Sequence, residues 1–110
     1  MKVGLIRCLQ TEEMCPGTTD FKVIKEKKGA FAGVDGEIEI IGMTTCGGCP
    51  GKKAVSRGVE MVKRGADTIA LCSCITKGNP IGFPCPYAEE IKAALQRKLG
   101  DSIRIIDYTH

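Results

Sequence analysis

Cysteine supplies most of the residues in this chain that could do chemistry. There are seven in 110 residues, Cys8, Cys15, Cys46, Cys49, Cys72, Cys74 and Cys85, together with a single histidine, His110. Ionised cysteine is both a metal ligand and a nucleophile, and neutral imidazole is the commonest nitrogen ligand. The densest grouping is Cys46-Gly47-Gly48-Cys49, followed by Pro50-Gly51-Lys52-Lys53. An odd number of thiols cannot pair completely into disulfides. The amino-terminal MKVGLIRCLQ also has too short an apolar stretch for a secretory signal. The sequence therefore reads as cytoplasmic, where thiols stay reduced and serve as metal ligands or redox groups.

Four chemistries compete for the stretch at 44–53. A phosphate loop requires Gly, four residues, then Gly-Lys followed by Ser or Thr. Here Gly51-Lys52 has Cys46 in place of the first glycine and Lys53 in place of the hydroxyl, so the magnesium-binding group is missing. A cysteine phosphatase loop needs an arginine six residues after the cysteine, and none is present. A thioredoxin-like C-x-x-C starts its helix at the first cysteine, whereas Pro50 follows both thiols and leaves the pair in the turn. The best fit is a metal knuckle: two thiols two residues apart grip one ion, and Gly47 and Gly48 permit positive φ and bring backbone N–H groups near the sulfurs.

These residues must be positioned by regular elements, and the hydrophobic pattern supplies them. Short apolar, β-branched runs at 3–6, 38–41, 68–71 and 103–106 have the length and composition of strands buried on both faces. Between them, 50–64 and 86–99 carry apolar residues at three- and four-residue steps and end at Gly65 and Gly100. A weaker helix spans Thr18 or Thr19 to about Lys28, with Asp20 near its start. Alternation of strand and helix predicts a single α/β domain over 1–110, three-layered, with a four-stranded, mostly parallel sheet and flanking helices, flavodoxin-like or similar. The longest irregular piece, 75–85, contains Gly78, Pro80, Gly82 and Pro84, and long loops in compact domains are often functional.

On this scaffold every candidate ligand falls on the exit side of a strand. Cys8 and Cys15 follow the first, Cys46 and Cys49 the second, Cys72, Cys74 and Cys85 the third, and His110 the fourth. In a parallel sheet those exits share one edge, where ligands bind in open α/β folds. Cys72, beside apolar Leu71, also suits plain core filling. Three cysteines precede proline, at 15–16, 49–50 and 85–86, each near a helix start. Proline suits the first helical position, and the positive helix N-terminus should lower the pKa of a thiol placed there.

Other partners fit poorly. The net charge is +3, from 16 basic and 13 acidic residues, and the densest basic run, 22–28, alternates with apolar residues as the wet face of a helix would. With two Tyr, three Phe and no Trp there is little to stack on bases, so no nucleic-acid partner is expected. No apolar run approaches the roughly 18 residues of a membrane span.

The chain resembles the CGGC-domain family of small cysteine-rich prokaryotic proteins. The resemblance rests on IRC at 6–8, CPGTTDFK at 15–22, GAF at 29–31, CGGCPGKK at 46–53, SCI at 73–75, GFPCP at 82–86 and the terminal TH. It implies a metal-binding role, with ligand candidates Cys8, Cys15, Cys46, Cys49, Cys74, Cys85 and His110, and it brings no established reaction. The family pattern often has a histidine after the F-P-C-P step, where this chain has Tyr87.

Two functions follow from the residues. The first is binding of a metal ion by a thiolate cluster, zinc in preference to an iron–sulfur cluster, with Cys46 and Cys49 as clamp. Cys74 and Cys85 are the leading completing ligands, and Cys8, Cys15 and His110 come next. Seven thiols and one imidazole exceed the four ligands of one tetrahedral ion, which leaves room for a second ion or a redox relay. The second function is thiol–disulfide redox chemistry, with Cys49 or Cys85 as attacking thiolate. No carboxylate is recognisably placed as a general base for a zinc hydrolase.

Overall fold

The computed structural model describes residues 1–110. Strand β1 runs Lys2–Arg7, helix α1 Thr18–Glu26, β2 Glu39–Thr45, α2 Lys53–Lys63, β3 Thr68–Leu71, α3 Ser73–Thr76, α4 Ala88–Leu99 and β4 Arg104–Ile106. Short 3-10 turns at Leu9–Thr11 and Gly29–Phe31 interrupt the connections. The four strands form one all-parallel sheet in the order β2-β1-β3-β4. This is the expected α/β architecture. Each strand is joined to the next in sequence by a crossover, and right-handed crossovers place α1 on one face and α2 and α4 on the other.

The core follows from that wrapping. Val3, Leu5, Ile6, Ile69, Ala70 and Leu71 of the two central strands are fully excluded from solvent. The edge strands depart from the expectation of burial on both faces: β2 is exposed at Glu39 and Ile40 and half-buried beyond, and β4 is exposed at Arg104. An edge strand has a neighbour on one side only, and the three-residue β4 is too short to be covered fully.

Small residues set the helix–sheet distance. Gly4 and Gly42 face each other across β1 and β2 after a register irregularity in that pairing. A Cβ on Gly4 would stand 2.7 Å from Met61 Sδ, so the two glycines form the slot that Met61 of α2 fills. Gly58 on α2 does the same for Leu95 of α4, where a Cβ would lie 2.7 Å from Leu95 Cδ2.

Two boundaries differ from the sequence reading. Pro50 and Pro86 are not first helical residues: α2 starts at Lys53 and α4 at Ala88, and the Cys49–Pro50 peptide is cis. The region after β3 is not all loop, since Ser73–Thr76 forms one helical turn directly behind Cys72.

Candidate metal centre

The strand order reverses between β1 and β3, because β2 lies to one side of β1 and β4 to the far side of β3. A crevice opens at the carboxyl ends of two such strands, since their outgoing connections leave to opposite faces. The segments that leave these two ends carry Cys8 and Cys72-Ser73-Cys74. The Cys8 backbone N–H points at Cys74 Sγ, 3.2 Å away. Cys74 is buried, and that burial raises its pKa against the lowering effect of the Cys8 N–H and the Thr11 hydroxyl.

The CGGC turn enters from β2. Cys46 is still tied to the sheet through its N–H to the Arg7 carbonyl, 2.8 Å, and is buried. Gly47 and Gly48 take φ of 80° and 100°, a region that L side chains rarely adopt. A Cβ on Gly47 would meet Lys53 Cβ at 2.7 Å, so only glycine lets the turn fold back over the start of α2. Cys49 emerges exposed at the end of the turn. Both cysteines therefore precede the helix, one facing in and the other facing out.

Cys85 arrives from the third connection. Gly78 packs against the Phe83 and Pro84 backbone, and the Cys85 N–H donates to the Ile75 carbonyl at 2.7 Å, which folds the loop back on itself. Cys8, Cys49 and Cys46 are near enough that a thiolate at any of them would raise the Cys85 pKa further. Four thiols from three strand exits thus share one neighbourhood. Here the expected lowering by a helix N-terminus fails. Burial raises the Cys85 pKa and outweighs the Tyr87 N–H, 3.4 Å from the sulfur. The helix itself begins only at Ala88, beyond Cys85 and Pro86.

Cys15 and His110 lie in a second, adjoining place. Together with Cys74, Asp20, Thr18 and Thr19 they line a cleft of about 170 Å³ beside the first turn of α1. Arg7 Nη2 donates to the Cys15 carbonyl and holds that loop to the end of β1. Cys72 differs from the other thiols: it is fully buried, its pKa is pushed up by desolvation and then by Asp20 and Cys74, and it belongs to the core as much as to the site.

Sequence reasoning missed the residues that hold the chain's last segment. Ser73 Oγ accepts the N–H groups of Thr109 and His110, both at 3.0 Å, and donates to the His110 carbonyl. Thr109 Oγ1 accepts the Ser73 N–H at 3.1 Å and donates to Asp20 Oδ1 at 2.5 Å. Asp20 is buried, and its Oδ1 lies 3.7 Å from His110 Nε2. The sequence signal was faint: Asp20 reads as an ordinary acidic residue in a helix's first turn, where it complements the dipole on the surface.

As they stand, no three His, Cys, Asp or Glu side chains are close enough together to hold an ion. The thiols gather at one rim, but their side chains are not in coordinating geometry. The donor set itself is chemically coherent, since thiolate with imidazole suits zinc, and thiolate alone suits zinc or iron–sulfur clusters.

An α/β domain with thiols gathered at the switch point of its sheet is the class of protein that these features define. The chain belongs to the CGGC domain family, whose model matches residues 2–110. An uncharacterized protein of Methanocaldococcus jannaschii is 40% identical over 119 residues, an alignment that covers all of this chain and 87% of the relative. No solved structure matches the chain. Membership in this family suggests metal binding without identifying an ion. No helix is long and apolar enough to cross a membrane.

Proposed function

We propose that this protein binds a transition-metal ion through cysteine thiolates at the carboxyl edge of its sheet, in the cytoplasm, with zinc the preferred ion over an iron–sulfur cluster. The observation that supports this reading is that Cys8, Cys46, Cys49 and Cys85 all lie in the segments that leave the carboxyl ends of β1, β2 and β3 in one parallel sheet. These are four soft donors, the number that a structural tetrahedral zinc requires. Cys46 and Cys49 form the clamp, Cys85 closes it from the 77–86 loop, and Cys8 approaches from the end of β1. Cys74, beside Cys8, is the alternative fourth ligand.

Binding would draw the thiols inward from the separated arrangement seen here. Cys49 is exposed and outside regular elements, so it can move without disturbing the core, whereas Cys85 is half-buried against the core and stays in place. When bound, the ion would cross-link three connections of the sheet and compensate the negative charge of the thiolates. The Tyr87 N–H, 3.4 Å from Cys85 Sγ, is one of the chain's own groups that would offset that charge.

The competing reading is thiol–disulfide exchange, and the exposed Cys49 beside the buried Cys46 favours it as the second choice. An accessible thiol next to a shielded one is the arrangement of an attacking and a resolving cysteine. Chelator competition with reduced protein separates the two. Metal binding requires that Cys46→Ser with Cys49→Ser weaken zinc binding by at least about 100-fold, because half of a four-ligand set is gone. Unchanged zinc affinity in that variant would sink the metal reading.

A further inference from the structure

Cys8 and Cys74 meet in the crevice between the ends of β1 and β3, and neither belongs to the CGGC turn. We propose that these two cysteines are a redox couple: a peroxide links them as a reversible disulfide across the switch point of the sheet, and the link withdraws Cys8 from the thiolate site. The effect on metal rests on the site proposed above, and the couple deepens that reading by naming its regulation.

Three observations converge on the pair. First, the sheet brings the two residues side by side. Strands β1 and β3 are paired with Ile6 opposite Leu71, and the Cys72 N–H continues the ladder to the Ile6 carbonyl at 2.9 Å. Paired strands run about 4.8 Å apart, and a disulfide joins Cα atoms roughly 4.4–6.8 Å apart. Second, Cys74 Sγ already lies 3.2 Å from the backbone nitrogen of Cys8. The sulfur touches the residue it would bond, so closure asks chiefly for rotation of the Cys8 side chain. Third, both residues are held in place. Buried Thr11 donates its hydroxyl to the Cys8 carbonyl at 3.1 Å. Ser73, next to Cys74, exchanges hydrogen bonds with Thr109 and His110.

Exposure assigns the roles. Cys8 is half-buried, whereas Cys74 is 4% exposed. Cys8 is the thiol that an oxidant reaches, and Cys74 is the one that resolves. A crevice that shields both sulfurs this far admits a molecule of peroxide size and excludes a disulfide carried by another protein. The Cys8 thiolate attacks one peroxide oxygen. The O–O bond breaks, the other oxygen takes a proton and leaves as water, and Cys8 becomes a sulfenic acid. The Cys74 sulfur then attacks the Cys8 sulfur. The S–S bond forms, the S–O bond breaks, and the hydroxyl leaves with the Cys74 proton as a second water. Two thiols lose two electrons, and one peroxide is reduced to two waters. The proposed tetrahedral set loses Cys8 in this step, and its alternative fourth ligand, Cys74, is consumed by the same bond. Cys46, Cys49 and Cys85 remain, one ligand short of a closed zinc site.

The test uses the full chain, reduced and stripped of metal under anaerobic conditions, and treated with two equivalents of hydrogen peroxide, enough for this couple and for the CGGC pair. Remaining thiols are alkylated, and the digested chain is mapped by tandem mass spectrometry without reduction. A peptide pair joined at Cys8 and Cys74, and separated by dithiothreitol, is expected. Cys8→Ser should lose it and Cys15→Ser should keep it. If circular dichroism shows that Cys8→Ser does not fold, fragment ions of the wild-type pair still assign the bond. Absence of that pair, or Cys74 joined instead to Cys15 or Cys72, would overturn the couple. Zinc-loaded wild type should release its zinc to a chromogenic chelator as peroxide forms the link. Cys74→Ser keeps Cys8 as a ligand but cannot form the link, so it should hold its zinc through one equivalent of peroxide. Equal release from both proteins would overturn the regulation. Reduced wild type that takes up no zinc would overturn the thiolate site itself, and the mapped bond would then decide the couple alone.

Discussion

Individual residues differ here chiefly in how far water reaches them. Cys49 is exposed, whereas Cys72 is fully buried with its thiol held neutral by desolvation. Because the thiolate is the reactive form, mass-spectrometric mapping of brief iodoacetamide labelling at neutral pH should find Cys49 modified first and Cys72 unmodified until the protein unfolds. Early labelling of Cys72 would contradict its placement. The thiols with raised pKa also set an alkaline limit. Cys72, Cys74 and Cys85 have folded pKa values raised above the ordinary 9.0. They stay neutral in the fold while the unfolded chain ionises, so stability without metal should be flat below about pH 9 and fall above it. At the acid end the sign reverses. The Thr68 hydroxyl, at 2.8 Å, and the Lys2 N–H, at 3.1 Å, hold the Asp67 carboxyl below the usual 3.8. Its contribution is present above that value and is lost as the pH falls through the lower folded one. Asp67→Asn should therefore melt below wild type at pH 7, and the gap should close toward pH 2. What the sequence showed at this scale was the identity of the thiols. It could not show burial or the late helix start, and so it misjudged Cys85, where desolvation outweighs the Tyr87 N–H and the helix begins only at Ala88.

At the scale of elements, short apolar runs and helical spacing predicted every strand and the three longer helices, because both are local properties of the sequence. The ends were less legible. Pro50 and Pro86 read as helix starts, but each belongs to a turn that presents a cysteine, and α2 and α4 begin two or three residues later. Helix α3 was hidden inside SCIT, too short to show a period, and it is the element that turns Ser73 toward the chain's last residues. Glycine spacing was equally opaque: nothing local marks Gly58 as the contact point of α2 with α4. Overpacking a tight helix contact typically costs about 1–3 kcal/mol, so Gly58→Val should lower unfolding stability by that amount in urea titration. A neutral or stabilising result would mean that α4 stands farther from α2 than Leu95 implies.

For the whole molecule, the strand order β2-β1-β3-β4 brings residues far apart in sequence to one rim. Sequence reasoning reached this rim by placing each cysteine after a strand, and parallel order did the rest. It could not show that Cys15, Cys74 and His110 line one cleft beside α1, because that depends on how the loops after the strands fold back. An ion that ties three connections together should bind the folded chain more tightly than the unfolded one and so stabilise it by mass action. At free zinc 100 times the dissociation constant the gain is about 2.7 kcal/mol, visible as a rise in melting temperature that a chelator reverses. The most direct measurement is metal content together with accessible-thiol count on protein purified anaerobically. Metal binding predicts at least one equivalent of metal per chain, with Cys46 and Cys49 protected from alkylation until the metal is chelated. Metal-free protein whose Cys46 and Cys49 alkylate freely and close to a disulfide under mild oxidant, with the fold retained, would contradict it.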